Sequence, residues 1–330
     1  MKTKGNVRLI DIAKEVGCTV NTVSRALRDK DDIGEKTKLK VREAAKRLGY
    51  IPNSLASSLR SGFSYTVAIV FENLVNPYYM IMTDKLHHRL ESLGYATLIF
   101  AVHDYLFKLD ALSRILSRKV DGIITFLEPT EEVVDLCKKN NIALLLLGRK
   151  NTKLKIDSIA TNDYSGGFIA GELLIEKGVK NVGYIGAPEA IECSVRRKNG
   201  LIDAFLKHNL GYNEENIRFM NGRSIQQEID VLLKNGTDGI FFFNDLMAFE
   251  GMKYLRSKNY DIPGQIKVVG YDDIANEFPV PFNLTTVSSD KDLIVNSAVD
   301  LLYKKMQGFG DNNDLKILEI DVEIKMGATV

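Results

Sequence analysis

Six side chains between residues 19 and 25 have the chemistry to contact a DNA duplex: Thr19, Val20, Asn21, Thr22, Ser24 and Arg25. Asparagine can pair bidentately with adenine, arginine with guanine, and valine can touch a thymine methyl. Arg25 follows Asn21 by four positions, so a helix sets the two one turn apart on one side. A second set lies far along the chain. Arg149, Arg197, Asn244 and Asp272 each stand after an apolar, strand-like run, at Leu144–Leu147, Val182–Ile185, Phe241–Phe243 and Ile266–Tyr271 respectively. Ligands of open α/β sheets bind at the carboxyl ends of strands, so these four are candidate contacts for a small molecule. A turn or helix-cap role competes at Asn244 and Asp272, and a solvated cation at Arg197. Arg149 fits site or surface equally.

The first set needs a helix presented outward, and the surrounding pattern supplies one. Leu9, Ile12, Ala13 and Val16 form one apolar stripe, Gly17 ends that helix, and Val23, Ala26 and Leu27 form a second stripe. Thr19 is placed to cap the second helix. Two short amphipathic helices around a glycine turn predict a helix-turn-helix, whose second helix enters a major groove. Gly34 precedes a third helix over residues 35–48, whose Val41, Ala44, Ala45 and Leu48 close a small core. Residues 1–62 carry a balance of +7 and the remainder −6, so a total of +1 hides a basic end on an acidic body. A basic end gains from counterion release on DNA. A three-helix bundle with a merely solvated basic surface is the competing reading.

The second set needs sheets. From Tyr65 onward apolar runs alternate with helical stretches, which predicts βαβ units and parallel sheets buried on both faces. So many strands divide best into two lobes, the first over about 65–162 plus 292–325 and the second over about 163–290. The expected division is a headpiece at 1–62, ending in a short helix at about 53–61 whose apolar face needs a partner, and a two-lobed ligand-binding body at 63–330.

In sequence order, Asp11-Ile-Ala, Gly17, Thr22-Val-Ser-Arg25, Tyr50-Ile-Pro-Asn53, Ala56 and Leu59 resemble the headpiece of the lactose/galactose-repressor family. The likeness continues through Asn76-Pro-Tyr-Tyr79, Val120-Asp-Gly-Ile-Ile124, Gly148-Arg149, Phe243-Asn-Asp245, Val268-Val-Gly-Tyr-Asp-Asp273 and Leu284-Thr-Thr-Val287. It implies an α-helical helix-turn-helix headpiece plus an α/β two-lobed body like a periplasmic binding protein, with parallel sheets. It further implies a homodimer, or a tetramer, on a palindromic operator. Two hinge helices would pair there, with Asn53 as cap, Ala56 on the packed face and Leu59 as a minor-groove wedge. Arg197, Asn244 and Asp272, with Arg149 from the other lobe, are the implied effector contacts. A fork, an amide and a carboxylate suit the hydroxyls of a sugar. The chain departs from the family at Gly148, where some members have an aspartate, and at Ser289, where glutamine is common. It also lacks tryptophan, with Phe219 and Met220 near a usual sugar-stacking position. Arg149 with Arg197 would also suit a sugar phosphate.

Other function classes are poorly served. His87, His88, His103 and His208 fall in no nucleophile–base arrangement. There is no phosphate loop, no dinucleotide fingerprint and no metal spacing, so neither an enzyme, a cofactor nor a metal is expected. Three scattered cysteines fit a reducing compartment. The N-terminus has no apolar core for secretion, and no run is long enough to span a membrane. The expected location is the cytoplasm. A binding-only periplasmic-type protein and an enzyme on a doubly wound sheet are the competing classes.

Overall fold

A computed structural model describes residues 7–51, 62–150, 153–278, 283–308 and 315–330. Two compact units divide at Ser64. In the first, α1 (Leu9–Val16), α2 (Val20–Leu27) and α3 (Glu35–Leu48) bury Ile12, Ala13, Val23, Ala26, Val41, Ala44 and Ala45 against one another. Gly17 takes φ 73°, a left-handed conformation that lets α1 stop and the chain turn within three residues. Lys38 lays its stem into this core, and its ammonium meets Glu35 at 2.8 Å and Asp29 at 3.1 Å.

The second unit holds two six-stranded sheets. The first sheet runs β13-β7-β6-β4-β1-β2, with β1 at Thr66–Phe71, β2 at Ala96–Ala101, β4 at Gly122–Thr125, β6 at Ala143–Leu147, β7 at Asp157–Thr161 and β13 at Ile317–Ile320. All its pairings are parallel. The second runs β14-β12-β11-β10-β8-β9, with β8 at Val182–Gly186, β9 at Ile217–Phe219, β10 at Gly239–Phe242, β11 at Lys267–Tyr271, β12 at Thr285–Ser289 and β14 at Val322–Lys325. A small ladder of β3 (Leu106–Phe107) and β5 (Glu128–Pro129) lies apart from both. Central strands such as Thr-Val-Ala-Ile-Val-Phe are buried on both faces because helices cover both sides.

Helix α4 (Pro77–Ser92) begins directly after Asn76, which caps it, and Pro77 fills its first turn. The remaining helices of this unit are α5 (Leu109–Leu116), α6 (Glu131–Lys139), α7 (Asp163–Glu176), α8 (Glu192–Lys207), α9 (Ile225–Lys234), α10 (Asp245–Ser257) and α11 (Lys291–Met306).

The expected first lobe ran through residue 325, and there the structure differs. Strand β13 joins the first sheet, but after Asp321 the chain passes to the second sheet, where β14 lies antiparallel to β12. Residues 317–325 alternate like one strand, and a period of two cannot reveal that its halves pair in different sheets. The strands of the two lobes thus communicate through Thr161–Asp163, Ser289–Lys291 and Ile320–Val322.

Close approach of α7 and α8 depends on glycine. A Cβ on Gly167 would sit 1.9 Å from the Arg197 carbonyl oxygen, and one on Gly200 would sit 2.0 Å from that of Tyr164. Neither backbone can yield without parting the helices. Gly200→Ala should therefore destabilise the protein by about 1–3 kcal/mol. Gly211→Ala, where a Cβ meets nothing within 4 Å, should be close to neutral. Urea melts of the two variants check this.

Candidate functional site

In the first unit, α2 presents the expected contact set on its outer side. Thr19 accepts a hydrogen bond from the Thr22 amide at 3.1 Å, and the two hydroxyls share another at 2.9 Å, which fixes the helix start. Val20 and Asn21 are exposed in the first turn. Arg28 donates from Nε and Nη2 to the carbonyl and hydroxyl of Ser24, at 3.0 and 2.8 Å. Arg25 reaches Asp32, in the α2–α3 turn, through Nη2 to Oδ2 and through Nε to Oδ1 at 3.3 Å. Asn53, Ala56 and Leu59 lie outside the described residues.

In the second unit, Arg149, Arg197, Asn244 and Asp272 all line one cleft between the two sheets. Arg197 comes from the first turns of α8 and is buried. Its guanidinium lies 3.3 Å from the centre of the Tyr271 ring and 4.6 Å from that of Phe243. Nε donates to Asp163 Oδ1 at 2.8 Å and Nη1 donates to the Phe243 carbonyl. Arginine has five N–H donors, so Nη2 and one hydrogen of Nη1 are left for a ligand. Asp163 is itself buried at the start of α7 and accepts from the Thr161 hydroxyl at 3.2 Å, which in turn accepts from Tyr271 at 3.1 Å. Burial pushes the Asp163 carboxyl upward, and the Arg197 charge opposes that. With Arg197 beside it and a helix N-terminus behind it, the ionised form is the one the geometry supports.

Asp272 sits beyond the end of β11 with φ 107°, a backbone region that costs on the order of 1–3 kcal/mol for a residue with a side chain. Bonds around it hold that shape. Asp245 accepts from the Ile274 amide at 2.8 Å and from the Thr286 hydroxyl at 2.6 Å. Asp273 accepts from the Ser288 hydroxyl at 2.7 Å, and Lys291 donates to the Asp273 carbonyl at 3.3 Å. The Asp272 carboxylate itself accepts no hydrogen bond from any described residue. Burial pushes it up to about 7, against the charges of Arg197 and Lys291. Asn244 serves two ends: its side-chain oxygen caps α10 by accepting from the Met247 amide at 2.9 Å, while its amide nitrogen is left beside the cleft.

The opposite wall was less visible in the sequence. Tyr78 and Tyr79 of α4 pack with Phe126 and Phe71 into an aromatic face. Tyr78 is close enough to Asp272 for that carboxylate to help burial raise its hydroxyl. Tyr78, Tyr79 and Phe126 line the cleft. Met220 lines the cleft, whereas Phe219 turns its ring onto Tyr184. Gly148 and Ser289, the departures from the family pattern, both line the cleft. Glu72 lies near Arg149, whose charge opposes the upward push of burial on that carboxyl. Asp163, the partner of Arg197, gave no signal because it follows a strand, Asp157–Thr161, that is polar at both ends rather than a long apolar run. Among the described residues no cluster is placed to hold a metal ion, and no helix is long and apolar enough to cross a membrane.

Residues 8–53 match a family described as bacterial regulatory proteins, lacI family, and residues 172–324 match a periplasmic binding protein-like domain. The sucrose operon repressor of Streptococcus mutans is 29% identical over 311 residues, covering 91% of this chain and 92% of that protein. Among solved structures, the lac repressor dimer bound to operator and the anti-inducer ONPF aligns with a TM-score of 0.82 at 22% identity, covering 98% of this chain and 99% of that one. A complex of the transcriptional regulator CelR with cellobiose aligns with a TM-score of 0.71 at 22% identity, covering 98% and 100%. These likenesses bear out the helix-turn-helix headpiece and the two-lobed α/β body.

The raised Asp272 carboxyl has a consequence for stability. A carboxyl whose value rises from 3.8 to about 7 on folding favours the folded state at low pH. That advantage is complete below pH 4 and disappears as pH climbs through 7. Asp272→Asn removes the penalty of the ionised form. The variant should match the ligand-free wild type near pH 4 and exceed its stability at pH 8 by a few kcal/mol, on the order of 1.4 kcal/mol per pH unit before cleft water reduces it. Urea melts at the two pH values check the sign.

Proposed function

This chain is a member of the lacI family of bacterial regulatory proteins, and from that premise we propose that it is a cytoplasmic transcriptional repressor, acting as a homodimer on a palindromic operator. We propose further that its DNA affinity is set by a neutral polyhydroxylated effector, a sugar, held between the two lobes. The observation that carries the effector reading is the Asp272 carboxylate, left without a hydrogen-bond partner among the described residues and facing a clamped Arg197 in an aromatic-walled cleft. A partnerless carboxylate accepts two neighbouring hydroxyls, the remaining Arg197 donors meet ring or hydroxyl oxygens, and the rings of Tyr78 and Phe126 cover an apolar sugar face.

Charge favours the sugar over a sugar phosphate. Arg197 is paired with Asp163, and Glu72 stands near Arg149. Asp272 is the charge left over, and it would repel a phosphate. The carbohydrate reading also agrees with the names of relatives, a sucrose operon repressor and a cellobiose-bound regulator.

The DNA reading rests on α2, which offers Val20, Asn21 and Arg25 to a major groove. Leu74, Val75, Met80 and Ile99 leave apolar surface on the first lobe for a second copy. Effector closure of the cleft would shift that lobe, and with it the spacing of the paired headpieces. Only a difference in effector affinity between the two arrangements can drive this, by about 1–3 kcal/mol in a typical case.

Two outcomes are expected. Arg25→Ala should lower affinity for the operator by about 1–3 kcal/mol while leaving random-sequence binding nearly unchanged, in gel shifts at fixed salt. Equal loss on both duplexes would remove Arg25 from base readout. Asp272→Ala should bind the operator normally yet ignore the compound that shifts the wild type. A normal response from that variant would take the effector out of this cleft.

A further inference from the structure

The ion pair between Arg25 and Asp32 occupies one edge of the guanidinium and leaves the other without a partner among the described residues. Asp32 takes Nε and Nη2, and a guanine needs two donors from the fork, which the Nη1–Nη2 edge still offers. Both side chains are about half exposed, at 43% and 50%, so the pair contributes little to holding the headpiece together. The headpiece core lies on other residues, Ile12, Val23, Ala26 and Val41 among them. The partner also has an unexpected sign: Asp32 places a negative charge beside a DNA-reading cation, where the phosphates would repel it. A carboxylate there weakens every duplex alike unless it does something for one base.

We propose that Asp32 is a positioning residue for base recognition: it holds the Arg25 fork edge-on to a guanine, and discourages Arg25 from swinging to a phosphate. The proposal rests on the reading of Arg25 as a base contact. An arginine on a helix surface has four rotatable bonds, and a phosphate satisfies it almost anywhere along a groove. Clamping its Nε–Nη2 edge removes most of those alternatives. The clamped fork then meets two acceptors on guanine but only one on adenine, so discrimination rises while non-specific attraction falls. Asp32 is therefore a specificity residue that never needs to touch a base.

The test uses the full-length chain and a randomised duplex library, from which bound DNA is sequenced at fixed salt. Wild type, Arg25→Ala, Asp32→Asn and the double variant are compared, each first checked for a native headpiece by circular dichroism. Asp32→Asn should bind random duplex more tightly, since a repulsive charge is gone. It should lose about tenfold of its discrimination at a single base pair, the one at which Arg25→Ala is also relaxed, and add nothing in the Arg25→Ala background. If Asp32→Asn raises binding to all sequences equally and keeps the base preference, Asp32 is a plain electrostatic brake and the proposal fails while the Arg25 reading stands. If Arg25→Ala itself relaxes no position, the base-contact reading fails and the proposal goes with it.

Discussion

The ligand cleft depends on one buried ion pair, Arg197 with Asp163. Placing a guanidinium and a carboxylate out of water is expensive, and the attraction between them offsets that only when their remaining hydrogen bonds are met. Here they are met. Asp163 takes the Arg197 Nε and the Thr161 hydroxyl, and Arg197 gives Nη1 to the Phe243 carbonyl while Tyr271 and Phe243 cover its faces. The pair joins the end of β7, the start of α7, the start of α8 and the end of β10. The first two of these form one of the junctions where the first lobe hands the chain to the second. Helices α7 and α8 can bring the pair together only because Gly167 and Gly200 let their backbones touch.

Other contacts between the lobes share this arrangement. Tyr271 of the second lobe donates to Thr161 of the first. Arg196, next to the clamped arginine, pairs with Glu319 on β13, and Lys150 meets the same carboxylate at 2.8 Å. Lys85 on α4 contacts Glu277 of the second lobe at 3.4 Å and Asp292 on α11 at 3.1 Å. The Asp272 carboxylate has no hydrogen-bond partner among the described residues. A residue kept in a left-handed backbone and carrying a carboxyl that burial holds near neutrality is poor for stability and well placed for ligand chemistry.

Much of this was legible in the residues. Apolar runs placed Asp272, Asn244 and Arg149 just after strand ends and Arg197 in the stretch that follows another, and topology then gathers those ends at one rim. Stripes spaced three and four apart, with Gly17 and the Thr19 cap, defined the headpiece. Other features left no such trace. Asp163 looks like any helix-start acid until Arg197 arrives from thirty-four positions away. Tyr78 and Tyr79 read as helix-face aromatics, and their role in the cleft wall depends on how the lobes face each other. Residues 317–325 alternate evenly across Asp321, so the passage from one sheet to the other could not be placed.

The central claim is that Arg197 meets the effector with the part of its fork that Asp163 does not hold. It is tested most directly by isothermal titration of wild type and Arg197→Lys with a carbohydrate identified by thermal-shift screening. Lysine keeps the charge near Asp163 but loses the planar fork and its stacking on Tyr271. The account predicts a folded variant whose affinity for that carbohydrate falls at least about tenfold, which is about 1.4 kcal/mol. A folded Arg197→Lys protein that binds the carbohydrate as tightly as the wild type would contradict it.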